Sequence, residues 1–193
     1  MSLCLTALMR QTGSVSEQAR TAALTALDRY LQTHPGAEPS VLAIADYTKP
    51  SCLKRLAIID LRSGAVSCHL LAHGKQSGTL HARSFSNTSG SGMSSLGLYR
   101  VIGNYAGSHG RALRLEGLDP LLNSNAFRRD IVLHAAPYVS IPYIMLNLFT
   151  FNGPRIGRSN GCFVVSPQEI DEVSTKLGTN GFIFAYAGQR SDQ

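Results

Sequence analysis

Tryptophan is absent from this 193-residue sequence, so tyrosine, phenylalanine and the aliphatic residues must build its core. Charge is sparse as well, at 16% of residues against 44% hydrophobic, which excludes a disordered chain. The four cysteines, Cys4, Cys52, Cys68 and Cys162, show no C-x-x-C pair. No His/Cys set has the intervals of a structural zinc site, so no metal is expected. There is no block of five or six basic residues, and no base-reading or base-stacking motif. Nucleic acid is therefore set aside, despite 18 Lys+Arg against 12 Asp+Glu and a net charge of +6. That surplus suits an anionic polymer or a membrane surface, or is simply a mildly basic exterior.

A membrane-spanning helix is missing too. Residues 131–154 contain no Asp, Glu, Lys or Arg, but Pro137, Pro142 and Pro154 interrupt them. Leu3–Met9 is apolar, yet no basic residue precedes it and it is too short for an export-signal core. No signal peptide is evident.

What is present is enough chain for one well-buried domain and an appendage. Ser14 and Glu17 form an S-x-x-E capping pattern ahead of apolar residues at helical spacing. This predicts a helix over 15–33, stopped by Pro35 and Gly36, either packed on the body or serving as a spacer. We divide the chain accordingly into a helical segment, 1–38, and a main domain, 39–193.

Beyond Pro39 the pattern becomes mostly β. Strands are expected at Val41–Tyr47, Leu56–Leu61, Ala65–Ala72, Leu98–Ile102, Ala112–Leu115, Ile131–His134, Cys162–Val165 and Phe182–Tyr186, with a turn at Arg62-Ser63-Gly64. Without regular βαβ alternation this reads as a β-sandwich or barrel. Ser166-Pro167-Gln168-Glu169 predicts a helix from there to Leu177, stopped by Gly178. The stretches 84–95 and 103–110 read as loops, on the surface or beside a site.

Two residues are candidates for chemistry. Cys162 follows Gly161, whose freedom of backbone lets a substrate approach and lets amide N–H groups face a developing oxyanion. Arg155 and Arg158 would lower the thiol's pKa and hold a carboxylate. His134 ends an apolar strand, a rigid platform for a base working near neutral pH. Taken singly, a buried structural cysteine and a satisfied core histidine are the alternatives.

Ordered motifs then accumulate along the chain. They are Lys49-Pro50-Ser51, Arg55-Leu56 with Ile58-Ile59-Asp60-Leu61, and His73-Gly74-Lys75-Gln76-Ser77-Gly78. Phe85-Ser86-Asn87, Ser94 to Tyr99, Tyr105-Ala106-Gly107-Ser108-His109-Gly110 and Leu113 to Leu118 follow. Asn125-Ala126 with Arg128, Ile131 to His134 and Gly157 to Cys162 complete the set. From about Val41 to Tyr186 the sequence resembles the murein L,D-transpeptidase catalytic domain, YkuD-related branch.

The resemblance implies a cysteine acyltransferase acting on peptidoglycan tetrapeptide stems without metal or organic cofactor, in the periplasm or cell envelope after export. Cys162 attacks, D-alanine leaves, and a second stem's amine resolves the thioester into a 3→3 cross-link. His134 is the base, the Ala135 carbonyl orients it, and the Gly161 and Cys162 N–H groups take the oxyanion. Arg155, Arg158, Ser159, Asn160, His73, Tyr105 and His109 are expected to line the substrate cleft. Part of Ala135–Gly161, with Tyr143 and Phe149, is either an apolar lid on the thioester or a core excursion.

Three positions differ from many relatives. Ala135 replaces glycine, Asn160 replaces histidine, and Phe163-Val164 stand where proline and a small residue are common. Phe163 is thereby placed to reshape the acceptor site. The same half-reaction would serve an L,D-carboxypeptidase, a D-amino-acid exchange enzyme or an exported effector. An inactive wall-binding module keeps the fold without the chemistry. A papain-like protease would need cysteine before histidine in the chain, the reverse of this order.

Overall fold

The computed structural model describes residues 14–107 and 110–188. Cys4, the Leu3–Met9 stretch and His109 lie outside the described residues. Eight strands form one sheet: β1 (Val41–Asp46), β2 (Lys54–Asp60), β3 (Val66–Leu70), β4 (Gly97–Gly107), β5 (Gly110–Gly117), β6 (Val132–Ala135), β7 (Phe163–Val165) and β8 (Gly181–Tyr186). All eight overlap the strands expected from sequence, but β4 runs five residues past Ile102 and β5 starts at Gly110, so residues 103–107, expected as a loop, are strand paired with β5. Their order is β3-β2-β1-β8-β4-β5-β6-β7. The β1–β8 and β6–β7 pairs are parallel and the others antiparallel.

The sheet curls into a nearly closed barrel. Its open edges are joined by the strap after β3, where Ala72 N–H donates to Val164 O at 2.9 Å and residues Gly74 and Ser159 bridge. Val41, Ala43, Ala45, Leu56, Ile58, Leu113, Leu115, Leu133 and Phe163 fill the interior. The alternating residues Leu42, Ile44, Ala57, Ile59 and Phe182 face outward, onto Ala19, Ala23 and Leu27 of helix α1 (Glu17–Thr33). Covered on both faces, β1 is apolar over nearly its whole length rather than alternating. The N-terminal helix is thus packed on the body and is not a spacer.

Its start differs from expectation. Ser16, not Ser14, is the N-cap: its Oγ accepts from Ala19 N–H at 3.2 Å, while its own N–H donates to Asp46 Oδ2 at 2.7 Å. That carboxylate anchor fixes the cap two residues later. Ser14 Oγ instead donates to Cys68 Sγ. The turn at residues 62–64 is as expected, with Asp60 Oδ1 accepting from two backbone N–H groups and Gly64 at φ 77°.

Two further helices are α2 (Ile141–Phe149) and α3 (Ile170–Leu177). α2 forms despite the prolines because Ser140 caps it and Pro142 falls in its first turn, where no N–H is required. Among the described residues, no helix is long and apolar enough to cross a membrane. α3 begins at Ile170 rather than Pro167. Ser166 Oγ bonds Gln168 Oε1 instead of capping, which leaves 167–169 as a turn. Gly178 ends the helix with φ 50°.

Candidate active site

β5, β6 and β7 carry the site on their outer face. Leu113, Leu133 and Phe163 are in register and point into the barrel. The residues between them must point out. Arg114 pairs with Val132, Ala112 with His134, and Tyr105 of β4 with Ala112. Cys162 immediately precedes β7, opposite Val132 and one pleat from His134 across a parallel pair. One alternation therefore lays Tyr105, Arg114, His134 and Cys162 on a single face.

They line one cleft of about 900 Å³, with Asp130, Tyr138, Arg158, Ser159 and Asn160. A groove of similar volume, about 890 Å³, runs between α1 and β4/β8. It holds no cysteine, and its Arg100 and Glu116 already pair with each other at 2.6 Å.

His134 Nδ1 lies 3.0 Å from Ala135 O. A carbonyl only accepts, so the proton sits on Nδ1 and Nε2 is the basic nitrogen. Ala135 lies within β6, and its φ is not positive. The Cys162 thiol is half-buried, with Asp130 O 3.5 Å from its sulfur. Burial pushes its pKa above the ordinary thiol value, opposed by the Val132 N–H and by the charge of Arg129. At neutral pH it is the neutral thiol, which requires a base.

Cleft-lining expectations fare unevenly. Tyr105, Arg158, Ser159 and Asn160 line the cleft. Arg158 is also tied down, its Nη1 donating to Lys75 O and Gly78 O at 3.2 and 3.0 Å. Ser159 is a turn clamp: its Oγ donates to Cys162 O at 2.8 Å and accepts the Gly161 N–H at 3.1 Å. The Gly161 amide thus has a partner in this state.

Arg155 does not line the cleft; its Nε bonds Asn152 O at 3.1 Å, close by in sequence. The cation with the leading effect on the thiol is Arg129, not Arg155 or Arg158. His73 is fully buried, its Nδ1 accepting from Arg55 Nη2 at 2.6 Å. It braces the site from behind, its carbonyl accepting the Ser159 N–H at 2.9 Å. Phe163 is buried in the barrel, edge-on to Tyr99 with ring centroids 5.1 Å apart, and cannot shape an acceptor site. Tyr143 and Phe149 do not line the cleft: Tyr143 packs edge-on against the cleft residue Tyr138, with ring centroids 6.4 Å apart, and Phe149 is exposed.

Three residues were not singled out from sequence. Arg129 reaches beneath the nucleophile loop, donating to Ser86 O, Met93 O, Ser95 Oγ and Ser91 Oγ at 2.7, 2.6, 3.1 and 3.3 Å. It organises much of 84–95, so that stretch is a pinned loop beside the site. The neighbouring Arg128 is exposed and bonds Asn125 Oδ1. Nothing in the Arg128-Arg129 pair says which turns inward.

Arg114 lies between the rings of Tyr105 and Phe127, 4.9 and 5.3 Å from their centroids. The alternation Ala112-Leu113-Arg114-Leu115 would have placed it outward. Tyr138 is kept neutral, its phenol pushed up to about 12 chiefly by burial. Gly157 lies under its ring; a Cβ there would meet it at 2.5 Å. Among the described residues no group of three or more His, Cys, Asp or Glu could hold a metal ion. Cys52, Cys68 and Cys162 are free thiols.

A family model described as L,D-transpeptidase catalytic domain matches residues 11–186. No curated protein matches the sequence. Among solved structures, an L,D-transpeptidase from Mycobacterium smegmatis is 14% identical, with a TM-score of 0.46, over 77% of this chain and 59% of that one. L,D-transpeptidase 3 from Mycobacterium tuberculosis is 10% identical, with a TM-score of 0.47, over 77% and 61%. The L,D-transpeptidase from Xylanimonas cellulosilytica is 14% identical, with a TM-score of 0.42, over 83% and 69%. The aligned part spans about three fifths of the two mycobacterial chains.

Proposed function

The chain belongs to the L,D-transpeptidase catalytic-domain family, and from that premise we propose that it is a peptidoglycan L,D-transpeptidase with Cys162 as nucleophile and His134 as base. The observation that carries this reading is the shared outer face of β6 and β7. It sets a tautomer-fixed imidazole and a half-buried thiol in one cleft.

His134 Nε2 takes the Cys162 proton as sulfur attacks the carbonyl of the third residue of a tetrapeptide stem. The Cys162 N–H, beside its own sulfur, takes the oxyanion, with Gly161 N–H joining if it releases Ser159 Oγ. The C–N bond breaks, the proton passes from His134 to the leaving D-alanine amine, and a thioester remains. The side-chain amine of a second stem attacks, its proton goes to His134, and the thiol is restored with a 3→3 cross-link. Tyr105, Arg114, Arg158 and Asn160 hold the stems, Arg114 as the carboxylate partner. The setting is the periplasm or cell envelope.

A second reading, L,D-carboxypeptidase or exchange activity, is favoured by one feature. No residue of α2 is among those lining the cleft, which favours access of water to a thioester there. Product analysis on purified tetrapeptide stems decides between them: cross-linked dimer supports the first, tripeptide alone the second. An inactive wall-binding module would give neither. The Cys162→Ala protein is the control, and mass spectrometry after a carbapenem should show an adduct only in the parent.

A further inference from the structure

Helix α2 has its amphipathicity reversed. Its buried positions are Ile144 and the polar Asn147. Asn147 Nδ2 donates to Arg155 O at 2.8 Å, and its backbone carbonyl accepts from Asn152 N–H at 2.8 Å. Its outward positions, Ile141, Met145, Leu148 and Phe149, recur at i, i+4, i+7 and i+8 and are all exposed. Just beyond the helix, Phe151 is 98% exposed and held at φ 60°, a region that costs a non-glycine residue energy. Among the described residues nothing covers that ring. A fully exposed phenylalanine presents about 200 Å², so Phe149 and Phe151 alone offer roughly 300 Å² of apolar surface. That is near the size at which a patch signals a binding surface.

The charge around the patch selects the occupant. Residues 131–154 carry no charged side chain, and no Asp or Glu occurs between Asp130 and Glu169. The cations Arg155 and Arg158 follow directly, on a chain of net charge +6. A second copy related by a twofold axis would set those cations against their own images, with no carboxylate from this segment to answer them. Arg158 belongs to the cleft, but Arg155 is held against α2 by the Asn147 bond, and the complement of an apolar face flanked by a cation is an apolar layer bordered by anions. We propose that this face docks on an anionic lipid bilayer, with Ile141, Met145, Leu148, Phe149 and Phe151 at the acyl boundary and Arg155 at the phosphates. The segment that carries α2 begins at the cleft residues Ala136, Pro137 and Tyr138. Docking would therefore hold the cleft beside the bilayer.

The test is co-sedimentation of the full chain with vesicles of phosphatidylcholine alone and of phosphatidylcholine mixed with phosphatidylglycerol. The parent is expected to bind the mixed vesicles well above the neutral ones. F149S/F151S should lose at least about tenfold in partition, with unchanged melting and unchanged carbapenem acylation at Cys162. R155Q should lose severalfold on mixed vesicles only. Three results would overturn the docking: no parent binding, equal binding by parent and F149S/F151S, or a parent dimer on size exclusion that F149S/F151S disperses. Acylation is read separately, so failure here leaves the reading of Cys162 standing, and failure there leaves the docking standing.

Discussion

The Arg129 guanidinium lies against Gly161: its Nη2 is 3.2 Å from where a Cβ on that glycine would sit. The leading cationic influence on the Cys162 thiol therefore comes from behind the nucleophile loop rather than from Arg155 and Arg158, which lie closer to Cys162 in sequence.

Removing that charge should slow thiolate formation. R129M is expected to move the alkaline limb of Cys162 alkylation by iodoacetamide to higher pH, with R129K restoring most of it. The loop bonds lost would also cost about 2–4 kcal/mol of stability, read by urea titration. A destabilised R129M with an unmoved pH profile would make Arg129 a brace only.

Gly161 is at φ 126°, and a Cβ there would meet Met93 O at 2.7 Å. G161A must shift the nucleophile loop or the 91–95 segment. We expect a loss of roughly 2–4 kcal/mol and near-complete loss of Cys162 acylation. Near-parental acylation in G161A would show that the loop relaxes freely.

Arg114 is the cation stacked within the cleft, between Tyr105 and Phe127. If it holds a stem carboxylate, R114Q should raise KM about tenfold with kcat little changed, a loss of about 1.4 kcal/mol in binding. A fall in kcat at constant KM would instead put Arg114 in the chemical step.

The fold was legible because strand periodicity is a local signal. Eight apolar runs gave eight strands, but their inward face did not show: Phe163 reads from sequence as an acceptor-site residue and lies in the barrel core with Leu113 and Leu133. Closure was not legible, since it depends on Ala72 N–H meeting Val164 O, 92 positions along. The site divided in the same way. Tyr105, Ser159 and Asn160 reach the cleft through strand alternation or closeness to Cys162. His73 looks like a cleft residue by its motif, but Arg55 holds it in the core. Helix α2 was obscured by its prolines and by an apolar face turned outward, which reads as core.

The buried pair of Arg55 and His73 should make the fold acid-sensitive. Burial and the Arg55 charge push the His73 imidazole down to about 4, from an ordinary 6.5 in the unfolded chain. Between those values the unfolded chain binds a proton that the folded one refuses. Stability is therefore full above about 6.5, falls as pH drops toward 4, and levels off below it. The difference amounts to about 3 kcal/mol. In H73Q the amide oxygen can still accept from Arg55 and nothing there titrates. Urea unfolding across that range should show the parent losing this increment and H73Q keeping it; parallel curves would mean that His73 can charge in place, beside a guanidinium that makes room for it.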